Sequence, residues 1–305
     1  MKLVLLTFAG KKCHLEILFK YILRYKKYID EYKLFISTNS NEDHEYIKAF
    51  AEKNDFVTLE YYKENGEIIL HGTSKMWDYA YSICNDDDTI YLKLDDDIVY
   101  IEETLFTDFI KYRETCDAPL LFPVIINNVY FSNLFSNSNV VNLRTKGNML
   151  STWPNTYNRI QSAVKENIHN NQFRIGDVTS TSEVLCPIAW GDVQYCVDLH
   201  YSFIDKLKTN NISDFYLDNH VVPNKFPVSI CCCSWRGKDL KKIVNEVGKI
   251  FQDEPWWTVF MPTWLNTNNM IYGKTIVSHY SYYRQRELGL DTTNILNKYN
   301  ELIPS

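Results

Sequence analysis

The feature that most constrains this chain is an alternation across its first 126 residues. Short apolar runs are separated by segments whose apolar positions recur three and four apart. Residues 2–8, KLVLLTF, form an apolar run of strand length, and Leu15, Leu18, Ile22 and Tyr25 repeat at helical spacing across 15–28. Further strands are expected at 32–37, 56–61, 89–94 and 120–126, and further helices at 43–53, 74–84 and 102–115, with Thr73 or Ser74 capping the helix at 74–84. Such β-α-β-α order implies an α/β fold built on a largely parallel sheet with helices on both faces. Ligands on sheets of this kind bind beyond the carboxyl ends of the strands. Two places therefore draw attention: Thr7-Phe8-Ala9-Gly10 after the first strand, and Leu94-Asp95-Asp96-Asp97 after the fourth.

The rest of the chain is less periodic. Residues 127–177 are rich in Asn, Ser and Thr and read as an irregular insertion over the sheet edge. Helices are expected at 192–208, 239–251 and 293–301, with short strands at 228–232 and 275–278. No Pro/Gly linker or internal repeat divides the chain, so residues 1–305 are read as one mixed α/β domain with a C-terminal elaboration. With 45% hydrophobic and 23% charged residues, wholesale disorder and fibrous repeats are excluded. The net charge of −6 argues against a nucleic-acid or polybasic membrane partner. No stretch approaches the roughly 18–20 apolar residues needed to span a bilayer, so a soluble, cytoplasmic chain without signal peptide or anchor is expected. The 8 cysteines, including Cys231-Cys232-Cys233, contain no C-x-x-C pair, which excludes a zinc ribbon or thioredoxin motif and suits reduced, buried thiols. His71, His200 and His220 lack a partner pattern and read as structural.

The acidic triplet carries the chemistry. Asp95-Asp96-Asp97 stands at a strand end between the apolar runs 91–94 and 98–101, where like charges raise one another's pKa unless a cation neutralises them. Oxygen ligands of this kind imply Mg²⁺ or Mn²⁺. In an extended segment alternate residues face one side, so Asp95 and Asp97 share a target while Asp96 points elsewhere. The second triplet, Asp86-Asp87-Asp88, lies between a helix and a strand and reads as a solvated loop. Lys93, inside the strand, has either a packing role or a carboxylate partner.

With these residues in view, the sequence resembles GT-A-fold glycosyltransferases, in particular a group found in fungi and large DNA viruses. The likeness rests on Thr7-Phe8-Ala9-Gly10-Lys11, Lys75-Met76-Trp77-Asp78-Tyr79-Ala80 and the run from Tyr91 to Val99. It continues in Asp253-Glu254-Pro255-Trp256-Trp257 and Val277-Ser278-His279-Tyr280-Ser281-Tyr282. Residues 127–185 match nothing comparable.

The resemblance implies a GT-A, Rossmann-like sheet in which residues 1–126 bind metal and nucleotide sugar and residues 127–305 bind the acceptor. It makes Asp97 a direct metal ligand, Asp95 a contact to the ribose or to the metal's water, and His279 the late histidine that closes the shell. Asp96 belongs to the same donor-binding turn. Thr7, Phe8, Ala9 and Gly10 would contact base and ribose, and Lys11, Arg284 and Arg286 are candidate phosphate partners.

The implied reaction moves a sugar from a nucleoside-diphosphate sugar, UDP ahead of GDP by frequency alone, to a hydroxyl acceptor. An inverting reaction needs a carboxylate base. Asp253 and Glu254 are the first candidates, beside Trp256 and Trp257, whose rings suit stacking on a sugar. Asp192 and Asp177 are the alternatives, and Trp190 is a further aromatic. Two other readings stay open. One is a sugar nucleotidyltransferase, disfavoured by the single glycine in the first loop. The other is a carbohydrate-binding protein of the same fold without turnover.

Overall fold

The computed structural model describes residues 1–70, 74–136, 192–222, 228–247, 254 and 256–303. Most of the expected insertion, from 137 onward, lies outside the described residues. The alternation becomes β1 (Lys2–Ala9), α1 (Lys12–Tyr25), β2 (Glu31–Ile36), α2 (Asn41–Glu52), β3 (Val57–Glu60), a small hairpin of β4 (Lys63–Glu64) and β5 (Glu67–Ile68), α3 (Ser74–Ile83) and β6 (Thr89–Leu94). Then come β7 (Ile98–Ile101), α4 (Asp108–Thr115), β8 (Leu121–Ile126), α5 (Val129–Ser136) and α6 (Val193–Lys208). The chain ends in β9 (His220–Val221), β10 (Cys232–Arg236), α7 (Gly237–Val247), α8 (Met261–Trp264), β11 (Met270–His279), α9 (Tyr283–Glu287) and α10 (Ile295–Leu302). No helix among the described residues is long and apolar enough to cross a membrane.

The sheet runs β3-β2-β1-β6-β10-β8-β11-β7, with β9 paired to β11. β3, β2, β1 and β6 are parallel neighbours, β10 is antiparallel to both β6 and β8, and β11 is parallel to β8. β1, β2, β3, β6, β8 and β11 therefore share one direction, and the expected mostly parallel α/β sheet flanked by helices is the fold observed. Val4, Leu5, Leu6, Leu92 and Leu94 are each at most 2% exposed, as strands covered on both faces require. α1 turns Leu15, Leu18, Ile22 and Tyr25 to the core, the positions whose spacing marks the helix in the sequence.

Only Asp95, Asp96 and Asp97 separate β6 from β7, although β10, β8 and β11 lie between them in sheet order. A flat sheet would put β6 and β7 about 19 Å apart. The connection reaches about 14 Å at most, so the sheet curls. The single register pair between β10 and β8, Ser234 with Leu121, is where it can open.

Several boundaries differ from the sequence reading. The strand expected at 228–232 begins at Cys232 and continues through Ser234 and Arg236, which pair with Leu92 and Ile90. Arg236 is tolerated there because Asp239 and Asp117 accept from it at 2.6 and 3.0 Å. β11 starts at Met270 and not Thr275, and its register with β8 shifts between Tyr272 and Ile276, across the Gly273-Lys274 break in the apolar pattern. The helix expected at 102–115 begins at Asp108, after a 3₁₀ turn over Glu103–Leu105. Residues at the start of the expected insertion form α5. Trp256 and Trp257 require a correction. Both are 1% exposed, with Trp257 packed 4.9 Å from Tyr81 and 5.1 Å from Trp235, so they are core side chains that cannot stack on a sugar.

Candidate metal centre

Because β1, β6, β8 and β11 share a direction, their carboxyl ends come to one edge. Gly10, Asp95, Asn127 and His279 meet there from four separate parts of the chain. The Asp95 N–H donates to the Cys231 carbonyl at 2.8 Å, and the Ile98 N–H donates to the Asp95 carbonyl at 3.2 Å. The chain thus reverses within three residues. This turn, rather than an extended strand, brings Asp95 and Asp97 to a common point. Asp96 does point elsewhere: its Oδ2 accepts from the backbone N–H groups of Gly10 and Lys11, both at 3.0 Å. A Cβ at residue 10 would stand 2.9 Å from that oxygen, so glycine is what admits the carboxylate.

One ligand atom each from Asp95, Asp97 and His279 lies within 4.8 Å of the others. Opposite donors around an octahedral magnesium-sized ion are about 4 Å apart. Small side-chain adjustments would close the shell.

The histidine supplies the sharper test. His279 Nδ1 is 3.1 Å from the Asn127 carbonyl, which can only accept, so Nδ1 carries the hydrogen. Nε2 then faces Asp97 Oδ1 at 3.2 Å. A bare lone pair against a carboxylate is repulsive, so this geometry needs either a proton on Nε2 or a cation shared between the two. Both groups are buried, at 4% exposure each. Burial favours neutral His279, yet the Asp97 charge and hydrogen bond override it and raise its pKa. Burial likewise opposes ionised Asp97, and the charges of His279, His14 and Arg286 reverse that, holding it well below the usual carboxylate range. For Asp96, burial first and the Asp97 charge second push the pKa up to about 7.

Each carboxylate has a partner. Lys93, 2% exposed, pairs with Asp95 and donates to the Ile230 carbonyl at 2.9 Å. Of the two roles open to Lys93, packing or a carboxylate partner, the carboxylate partner is observed. Arg286 Nη1 lies 3.3 Å from Asp97 Oδ2 and donates to Ser281 Oγ at 2.7 Å. The donor set of two carboxylates and an imidazole suits a divalent cation.

The other residues singled out in the sequence distribute unevenly. Thr7 and Ala9 are fully buried within β1, and the Thr7 hydroxyl accepts from Tyr32 at 2.9 Å. Phe8 is half-buried, its ring 5.5 Å from Phe35, and Lys11 is exposed. Glu254 is half-buried, and its charge helps burial and Cys231 raise the Tyr282 pKa. The Tyr282 ring lies 5.1 Å from that of His279. Asp253, Asp177 and Trp190 lie outside the described residues. Asp192 caps α6, accepting from the Tyr195 N–H at 3.1 Å. Arg284 pairs with Glu287 at 3.0 Å on the surface.

His14 is a neighbour that the sequence pattern hides. It is 2% exposed in the first turn of α1, 5.2 Å from the Tyr280 ring, and its Nδ1 has no hydrogen-bond partner among the described residues. Burial lowers its pKa, against the pull of Asp97 and with the push of Arg286 and Lys11. At a position that also fits the helix's buried face, nothing in the sequence separates it from a core residue. Away from the cluster, a concavity of about 460 Å³ lined by Tyr61, Lys63 and Tyr79 opens beside the end of β3.

No protein-family model matches this chain, and no curated protein does. Among solved structures it is similar to a 4-diphosphocytidyl-2C-methyl-D-erythritol synthase from Anaerococcus prevotii, at a TM-score of 0.30 and 20% identity over 41% of this chain. The chain spans 56% of the length of that enzyme. A likeness this loose carries no argument about the site.

Proposed function

We propose that this protein is a metal-dependent glycosyltransferase of GT-A type, which transfers a sugar from a nucleoside-diphosphate sugar to a hydroxyl acceptor. The observation that carries the reading is the His279 geometry: Nδ1 is occupied by the Asn127 carbonyl while Nε2 faces Asp97 3.2 Å away, beside Asp95. Mn²⁺ is the preferred ion, since it accepts both imidazole and carboxylate, with Mg²⁺ second. Bound there, the ion would supply Lewis-acid neutralisation of the departing diphosphate.

The chain's own residues provide the rest. Arg286 stands beside Asp97 as a cation for phosphate oxygens, and the exposed Lys11 extends from the loop whose amides Asp96 holds. The Gly10 and Lys11 amides are held by Asp96, which fixes the first loop against the acidic turn. Glu254, half-buried, is the base candidate among the described residues, and Asp253 remains its rival. UDP is proposed ahead of GDP.

The test is a thermal-shift panel of UDP, GDP, CDP and ADP, each with Mn²⁺ and with EDTA, followed by transfer assays with sugars of the nucleotide that binds. A Mn²⁺-dependent shift with one nucleotide and release of that nucleoside diphosphate are expected. Pyrophosphate release from a nucleoside triphosphate and a sugar phosphate would instead mark a nucleotidyltransferase. No shift with any nucleotide would sink the reading.

A further inference from the structure

The residue that sets the His279 tautomer is itself unusual. Asn127 follows β8 with φ 58°, in the left-handed region that asparagine tolerates better than other side chains, and it is fully buried. It is in this conformation that its carbonyl receives His279 Nδ1–H. The side chain explains how the conformation is kept. Asn127 Nδ2 donates to the Tyr280 carbonyl at 2.8 Å and to Gln285 Oε1 at 3.0 Å, and Gln285 Nε2 donates back to Asn127 Oδ1 at 3.1 Å. Gln285 Oε1 also accepts from the Tyr282 N–H at 2.9 Å. The two amides thus close a reciprocal pair, fully buried, between the end of β8 and the first turn of α9.

That pair spans both halves of the cluster. On one side the same residue orients His279, and on the other Gln285 immediately precedes Arg286, the cation on Asp97. We propose that Asn127 and Gln285 are positioning residues, a latch that locks the Nδ1–H tautomer of His279 and the placement of Arg286. They would thereby set the affinity of the cluster for a divalent cation. The proposal rests on the metal reading above. Loss of either amide takes two buried hydrogen bonds from its partner, frees the Asn127 peptide to relax, and lets the imidazole turn.

The test is Mn²⁺ binding to the full chain by isothermal titration calorimetry, with melting temperature recorded in parallel. Gln285→Met removes the pair from one side at similar size. Asn127→Gly removes it from the other while allowing the positive φ and keeping the carbonyl. Tyr299→Phe serves as control: it removes buried hydrogen bonds to Ser278 on β11 and His200 on α6, and Tyr299 itself makes no bond to Asn127 or Gln285.

Both latch variants are expected to weaken Mn²⁺ binding by about 10–100-fold, the range for partners of metal ligands. The control is expected to lower the melting temperature with Mn²⁺ affinity unchanged. If the parent binds Mn²⁺ and the latch variants bind it within threefold, the latch is overturned while the metal centre stands. If the parent binds no Mn²⁺, the metal reading fails and the latch falls with it.

Discussion

Asp86-Asp87-Asp88 and Asp95-Asp96-Asp97 have one composition and lie six residues apart, yet the fold treats them oppositely. The first triplet is exposed between α3 and β6; Asp86 accepts from the Tyr91 hydroxyl at 3.1 Å, and Asp87 meets Lys241 at 3.1 Å on the surface. The second lies at the other end of the same strand, where β1, β8 and β11 also end. It meets Lys93, His279, Arg286 and two backbone amides. A parallel sheet has two unlike edges, and only the carboxyl edge gathers loops from distant parts of the chain around one point. Identical charges at the amino edge stay exposed. At the carboxyl edge they gather buried partners, and partners can be exchanged for a ligand.

The largest effect that would break this comparison comes from Asp97→Asn against Asp87→Asn. The first is expected to weaken Mn²⁺ binding by more than about 100-fold and abolish metal-dependent turnover, since a direct ligand should cost more than its supports. The second should change neither. Equal activity of the two variants in a transfer assay would end the distinction.

The next test isolates His200 from the other buried histidines, His14 and His279. His200 is fully buried, with Nε2 2.9 Å from the Tyr280 carbonyl and Nδ1 2.8 Å from the Tyr299 hydroxyl, and burial lowers its pKa to about 4. Its folded pKa lies below the unfolded value. Its contribution is therefore complete above about pH 6.5 and is lost as pH falls through about 4, at most roughly 3 kcal/mol. Urea melts at pH 7.0 and 4.5 should show this loss in the parent and a smaller one in His200→Gln. An equal slope in both proteins would assign the acid sensitivity elsewhere.

Lys93→Met sharpens the comparison at the level of stability. Lys93 is buried and Asp95 is about one-third exposed, so removing the cation is expected to cost about 2 kcal/mol, less than for a fully buried pair. Mn²⁺ should restore part of it by supplying the missing charge. Lys241→Met, which frees Asp87, is the smallest effect: under about 0.5 kcal/mol, with no response to Mn²⁺. Chemical denaturation with and without the ion measures all four cases.

Much of this was legible in the sequence, for identifiable reasons. Apart from the small hairpin of β4 and β5, the strands and helices up to Leu94 announce themselves through apolar spacing, because a parallel sheet covered on both faces tolerates few polar residues. The acidic turn stands out because charge between apolar runs is costly. Less legible were the strands that enter the sheet late. β10 carries Ser234 and Arg236 in its interior, made acceptable by Asp117 and Asp239, which no local pattern reveals. Trp256 and Trp257 looked like a sugar platform because composition does not state which side of a ring faces water. His14 and Asn127 were silent for a related reason: the importance of each comes from what long-range pairing sets beside it, His279 and Tyr280 being more than a hundred residues away.

The strand order has a consequence for how the chain is made. β10 fills the place between β6 and β8, and β11 the place between β8 and β7, so the middle of the sheet is supplied by the last third of the polypeptide. During synthesis from the amino terminus, β6 and β8 emerge with open edges and wait for Cys232–Arg236 and Met270–His279 to leave the ribosome. Open apolar edges are the surfaces on which chains pair wrongly. The nascent protein would thus carry its greatest risk of aggregation in that interval, and the acidic turn would gain its histidine only once β11 has followed β8 and β10 off the ribosome.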